Sequence, residues 1–193
     1  MNTLRGLCAL GALTLAASAF AAGPRTDQVV DRDVNQQERV EHGLQDGQLT
    51  TREAGQIERD QARIDRTEAR DLSDGKLSAA EQARINQMQN RTSAEIHRDA
   101  RNGATGDPDS KSSERMQADV ARNVRQEQRI DQGADSGSLT NREVGSLEAG
   151  QAHVDRKEAA AARNGHVSAG EEARVQRSED HQSRRIHRKK TDG

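Results

Sequence analysis

Apolar residues recur along this chain at helical spacing. Val30, Val34, Val40 and Leu44 form one stripe, and Ala54, Ile57, Ile64 and Leu72 form a second. Ile85, Met88 and Ile96 continue a third, and Val144, Leu147, Val154 and Ala162 restate the second further along. Such intervals return side chains to one face of an α-helix, whereas a half-buried strand would alternate. Four of the predicted helices carry a start signal, Gly-x-Leu/Val-Ser/Thr-x-x-Glu, beginning at Gly47, Gly75, Gly137 and Gly165. Ser or Thr followed three residues later by Glu is a capping box, in which each side chain satisfies a free backbone N–H at the helix start. The glycine before it suits a left-handed turn.

The pattern is duplicated. Residues 30–98 align with 120–188 at a constant offset of 90 and no gap, with 29 of 69 paired positions identical. Many apolar positions exchange for similar residues, as in Val40/Ile130, Ile57/Leu147, Ile64/Val154, Leu77/Val167 and Ile85/Val175. A chain without a packed core has no reason to keep them. The expected fold is therefore all-α, with two tandem three-helix hairpin units, 22–98 and 120–188. Residues 99–119, with Gly103, Gly106, Pro108 and Ser110-Lys111-Ser112-Ser113, read as a flexible linker. Residues 189–193 read as a basic tail.

Composition narrows the chemistry. The 193 residues include 32% charged, 31% hydrophobic and 1% aromatic side chains, with one Cys and a formal net charge of −2. Those values exclude a membrane bundle, a disulfide scaffold, a zinc finger and a site built on aromatic stacking. The near balance of charge gives no pull toward nucleic acid. Residues 1–21 have the form of a signal peptide: Arg5, an apolar run from Leu7 to Ala17, and the cleavage site Ala19-Phe20-Ala21. Cleavage would remove Cys8 and Phe20 and leave a periplasmic or secreted chain with no thiol and no stable membrane insertion. No nucleophile elbow, phosphate loop or H-E-x-x-H is present, so no enzyme is expected.

The Gly-turn motifs resemble the second half of an EF-hand loop, D-G-x-[IL]-[ST]-x-x-E. That resemblance implies weak calcium ligation by Asp46 with Glu53, Asp74 with Glu81, Glu143, and Asn164 with Glu171. The first half of each loop lacks the expected donors, since its first position is His42, Arg70, Gln132 or Ala160. Each motif therefore reads first as a capped turn. The whole unit resembles small exported bacterial helical-hairpin repeat proteins of unassigned function. More distantly, Leu49-Thr50-Thr51-Arg52 is similar to the L-T-x-x-Q motif of small periplasmic chaperones. These resemblances imply a non-enzymatic, stress- or chaperone-like protein acting through protein contacts or self-association, without a cofactor.

Other polar positions are ambiguous. Gln61/Gln151 and Glu68/Glu158 interrupt the apolar stripes at matching places, which suits either a wet seam or a ligand groove between helices. Glu58/Glu148, and Asp65/Asp155 beside Arg66/Arg156, read as exposed charge pairs. The six histidines include no pair at i, i+4 and read as solvated.

Overall fold

The computed structural model describes residues 25–191; the expected signal segment lies outside them. Six helices follow in order: α1 Thr26–Gln45, α2 Thr51–Asp71, α3 Ala79–Asp99, α4 Lys111–Ser136, α5 Asn141–Ala161 and α6 Ala169–Thr191. No strand occurs among the described residues. Short 3-10 turns, Leu72–Asp74 and Ala162–Asn164, extend α2 and α5.

The start signals work as the spacing predicts. Thr50, Ser78 and Thr140 cap α2, α3 and α5 in complete capping boxes with Glu53, Glu81 and Glu143. At α6, Ser168 N–H donates to Glu171 at 2.9 Å and Ser168 Oγ accepts from Glu171 N–H at 3.3 Å. Gly75 and Gly165 turn the chain with φ of 86° and 83°, the left-handed region that a Cβ disfavours.

The two copies pack against each other rather than closing separate cores. Helices α2 and α5 run antiparallel along their length, so that Gly55 faces Ala162 and Gly145 faces Leu72. Helices α1 and α4 form a second antiparallel pair, with Glu38 beside Gln128. Helix α3 lies against α1 and α2, and α6 lies against α4 and α5. One core cluster joins Val40, Leu44, Leu49, Ala54 and Ile57 to Met116, Val120, Ala162, Val167 and Val175. The other joins Val29, Val30, Ile64, Leu72 and Ile85 to Ile130, Leu139, Val144, Leu147 and Ile186. A two-fold relation is visible at both ends: Arg52 donates to the Asn164 carbonyl and Arg142 to the Asp74 carbonyl, each at 3.2 Å.

The segment expected to be a flexible linker is largely ordered structure. Asp99 closes α3, and residues 111–119 are the opening turns of α4, capped by Ser110, which accepts from Ser113 N–H at 3.2 Å. Its Ser-rich composition masked a helix start whose first apolar anchors are Met116 and Val120. The intervening chain is pinned by Gly106 N–H donating to the Gly47 carbonyl at 2.9 Å and by Asn102 donating to Glu53 at 2.7 Å. The expected basic tail likewise continues α6 to Thr191, with Lys190 donating to the Arg129 carbonyl at 2.9 Å.

The α2–α5 contact is close enough to test. A Cβ on Gly55 would fall 2.5 Å from the Ala162 Cβ. Gly55→Ala is expected to destabilise by about 1–3 kcal/mol through overpacking. Gly170→Ala, where nothing lies within 4 Å, is expected to be neutral or mildly stabilising. Denaturant melts of the two variants check the pair.

Candidate metal centre

The motif residues first read as EF-hand-like ligands are engaged locally. Glu53, Glu81, Glu143 and Glu171 each spend one carboxylate oxygen on their cap, and the cap hydrogen bonds hold Glu143 and Glu171 below the usual carboxylate range. Asp74 and Asn164 accept from the backbone N–H two residues on, at 2.8 and 2.9 Å. Asp46 is the exposed C-cap of α1. Among the described residues, the converging groups of three carboxylates lie elsewhere, in the core.

That core site begins with one stripe. Glu58, Gln61, Asp65 and Glu68 occupy positions i, i+3, i+7 and i+10 of α2, one face of the helix. Glu148, Gln151, Asp155 and Glu158 occupy the same positions of α5. Since α2 and α5 are antiparallel partners, the two stripes meet. Glu58 and Asp65, expected as exposed charge pairs with their equivalents, are buried: Glu58 is 0% exposed, Asp65 2%, Glu148 1% and Asp155 1%. Their neighbours Arg66 and Arg156 point to solvent, because consecutive residues on a helix do not share a face. Helix α1 adds Asp33 and Gln37 from one flank, and α4 adds Asn123 and Glu127 from the other, all at most 3% exposed.

Two nests result. In the first, Glu58, Asp155 and Glu158 bring carboxylate oxygens within 4.8 Å of one another. Gln37 donates to Glu58 at 2.8 Å, and Asn123 donates to Asp155 at 2.7 Å. In the second, Asp65, Glu127 and Glu148 converge within the same 4.8 Å, with Glu68 and Asp33 alongside. The nests adjoin where Asp65 meets Asp155. No ion pair reaches any of these eight acids among the described residues.

Electrostatics makes this arrangement demanding. Burial pushes every one of the eight upward, and neighbouring carboxylates add to it at Glu58, Asp65, Glu68, Glu127, Glu148 and Glu158, while hydrogen bonds hold Asp33 and Asp155 back. Asp155 rises to about 6, Asp33 to about 7 and Glu58 to about 8. Asp65, Glu68, Glu127, Glu148 and Glu158 lie well above the ordinary range. Among the described residues, all buried side-chain polar atoms lacking a hydrogen-bond partner are oxygens. They include both Glu148 oxygens and the amide carbonyls of Gln37, Gln61 and Gln151. Only protons or cations can relieve such a site.

The donors are all oxygen, from carboxylates and amides, with no His or Cys. That set matches hard cations such as Ca²⁺ or Mn²⁺ and offers nothing to a soft metal. Comparisons with family models, curated proteins and solved structures return no match.

Sequence reasoning placed Gln61, Gln151, Glu68 and Glu158 in the interior but put Glu58, Asp65, Glu148 and Asp155 outside. It gave no role to Asp33, Gln37, Asn123 and Glu127. The available signal was the retention of E-x-x-Q-x-x-x-D-x-x-E in both copies, on one face.

Proposed function

We propose that this protein binds hard metal ions in two carboxylate nests, held between two tandem three-helix units that fold against one another. The observation that carries the reading is a set of eight buried carboxylates without an ion pair, six of them converging in two groups of three within 4.8 Å, together with unpartnered amide carbonyls on the same helices. Purely structural acids in a helical core are normally paired or hydrogen-bonded. Here the polar stripe is copied in both units, and each nest takes residues from both. Combined with the export expected from residues 1–21, the reading is of a cation-holding protein outside the cytoplasm, without catalytic activity.

Calorimetric titration of the chelator-stripped protein at pH 7.5 with Ca²⁺, Mn²⁺ and La³⁺ tests it. Saturable binding approaching two ions per chain is expected. Proton release should accompany it, visible as a dependence of the heat on the buffer's ionisation enthalpy. Absence of heat for all three ions up to about 1 mM, the weak end for oxygen sites, would overturn the reading.

A further inference from the structure

We propose that the two nests are unequal, and that the one formed by Asp33, Asp65, Glu68, Glu127 and Glu148 is a high-charge site that fills first and prefers a trivalent cation. The other, formed by Gln37, Glu58, Asn123, Asp155 and Glu158, is a divalent-cation site. This inference rests on the cation-binding reading above.

The offset of 90 residues maps one nest onto the other position by position. Glu58 corresponds to Glu148, Asp155 to Asp65, and Glu158 to Glu68. At the remaining two positions acid and amide are exchanged: Asp33 stands where the other nest has Asn123, and Glu127 where it has Gln37. Each exchange swaps an oxygen for an NH₂ in a side chain of the same shape. The nests are therefore built from equivalent positions but differ in formal charge, five carboxylates against three, and in which acids converge: Glu158 belongs to one triad, while in the other Glu127 stands in place of its equivalent Glu68.

Hydrogen bonding sharpens the contrast. In the three-carboxylate nest the amides act as internal donors. Gln37 donates to Glu58 at 2.8 Å, and Asn123 donates to Asp155 at 2.7 Å and reaches Glu158 at 3.5 Å. Gln151 in turn donates to Asn123 Oδ1 at 2.6 Å. That nest is partly satisfied by the protein itself. In the five-carboxylate nest both Glu68 oxygens and both Glu148 oxygens lack partners, as do Asp65 Oδ2 and Glu127 Oε2. Its donor to Asp33 is Gln89, at 2.9 Å, from the flanking α3.

Two further buried acids act on Glu158 of the three-carboxylate nest: Glu179, which stands where the other copy has Gln89, and Asp119. Arg122 offsets part of that charge. Glu179 on α6 is held by Arg122 at 3.2 Å, and buried Asp119 on α4 lies near Arg122 and Glu172. In oxygen sites, affinity and preference for higher charge rise with the number of ligating carboxylates.

Titration of the stripped, full-length chain with Tb³⁺, followed by its luminescence and by competition with Ca²⁺, tests the inequality. The wild type should bind one Tb³⁺ about 100-fold more tightly than the second, with Ca²⁺ displacing only the weaker. The double substitution Asp33→Asn with Glu127→Gln should abolish the tight step and leave two weak sites. The reverse exchange, Gln37→Glu with Asn123→Asp, should produce two tight ones. Every residue introduced already occupies the equivalent position of the other copy, and circular dichroism is the check that each variant folds. Equal wild-type sites, or exchanges that leave the two steps unchanged, would overturn the inequality while leaving cation binding intact. Failure to bind either ion would overturn both readings.

Discussion

Replacing Glu148 with glutamine is expected to make the metal-free protein more stable at pH 8 and the cation-loaded protein less so. Glu148 is buried, both its oxygens lack partners, and its acidity is suppressed first by burial and then by Glu127, Asp33 and Asp155. An amide of the same shape removes a charge that the fold must otherwise protonate. The gain should be about 2 kcal/mol, or roughly 6 °C for a chain of this size. With the charge gone, the five-carboxylate nest loses a ligand, and Tb³⁺ affinity should fall by about 100-fold. Thermal melts with and without ion would show the two effects with opposite sign. An ordinary core polar residue would give the same destabilisation in both conditions, and that outcome would count against a ligand role.

The second large effect is on pH. All eight carboxyl groups have folded pKa values above their unfolded range near 4. The stability they contribute is therefore complete below that range and disappears as pH rises through the folded values. The values that mark this window run from about 6 at Asp155, through about 7 at Asp33, to about 8 at Glu58. Each group still protonated in the folded chain but ionised in the unfolded one costs about 1.4 kcal/mol per pH unit. The metal-free protein should lose several kcal/mol between pH 5 and pH 8. Saturating hard cation should reverse the trend at the alkaline end, because the ion replaces the protons and stabilises by about 2.7 kcal/mol at a hundredfold excess over its Kd. Denaturant melts at pH 5, 6.5 and 8, with chelator or with La³⁺, measure this. A metal-free chain equally stable at pH 5 and pH 8 would contradict the burial of these acids.

Local structure was readable in the chain because its determinants are local. The Thr50, Ser78, Thr140 and Ser168 caps, and the Ile57, Ile64, Leu147 and Val154 stripes, depend on neighbours within a few turns. What the chain did not reveal is what those stripes pack against. Short turns suggested that each copy would close on itself, whereas the longest contact is α2 against α5, between residues some 90 positions apart. That pairing makes the buried face wider than the apolar stripe. Glu58 sits beside Ile57, and Asp65 beside Ile64, one position round the helix. On an isolated three-helix unit those positions would meet water. Only the opposing copy takes them inside, so charge alone suggested a solvated pair. The Ser110 cap of α4 was missed for a simpler reason, since serines in a polar stretch resemble a tether.

The acid-bearing face of each copy is finished only by the other copy, and that has a consequence for how such a chain could arise. A single unit, left alone, would present Glu58, Gln61, Asp65 and Glu68 on an open side, and the natural cover for that side is a second identical unit turned by half a revolution. Such a homodimer would be bound to have two indistinguishable sites. Joining its halves into one polypeptide frees each half to drift, and Asp33 opposite Asn123, with Glu127 opposite Gln37, is a divergence closed to a homodimer.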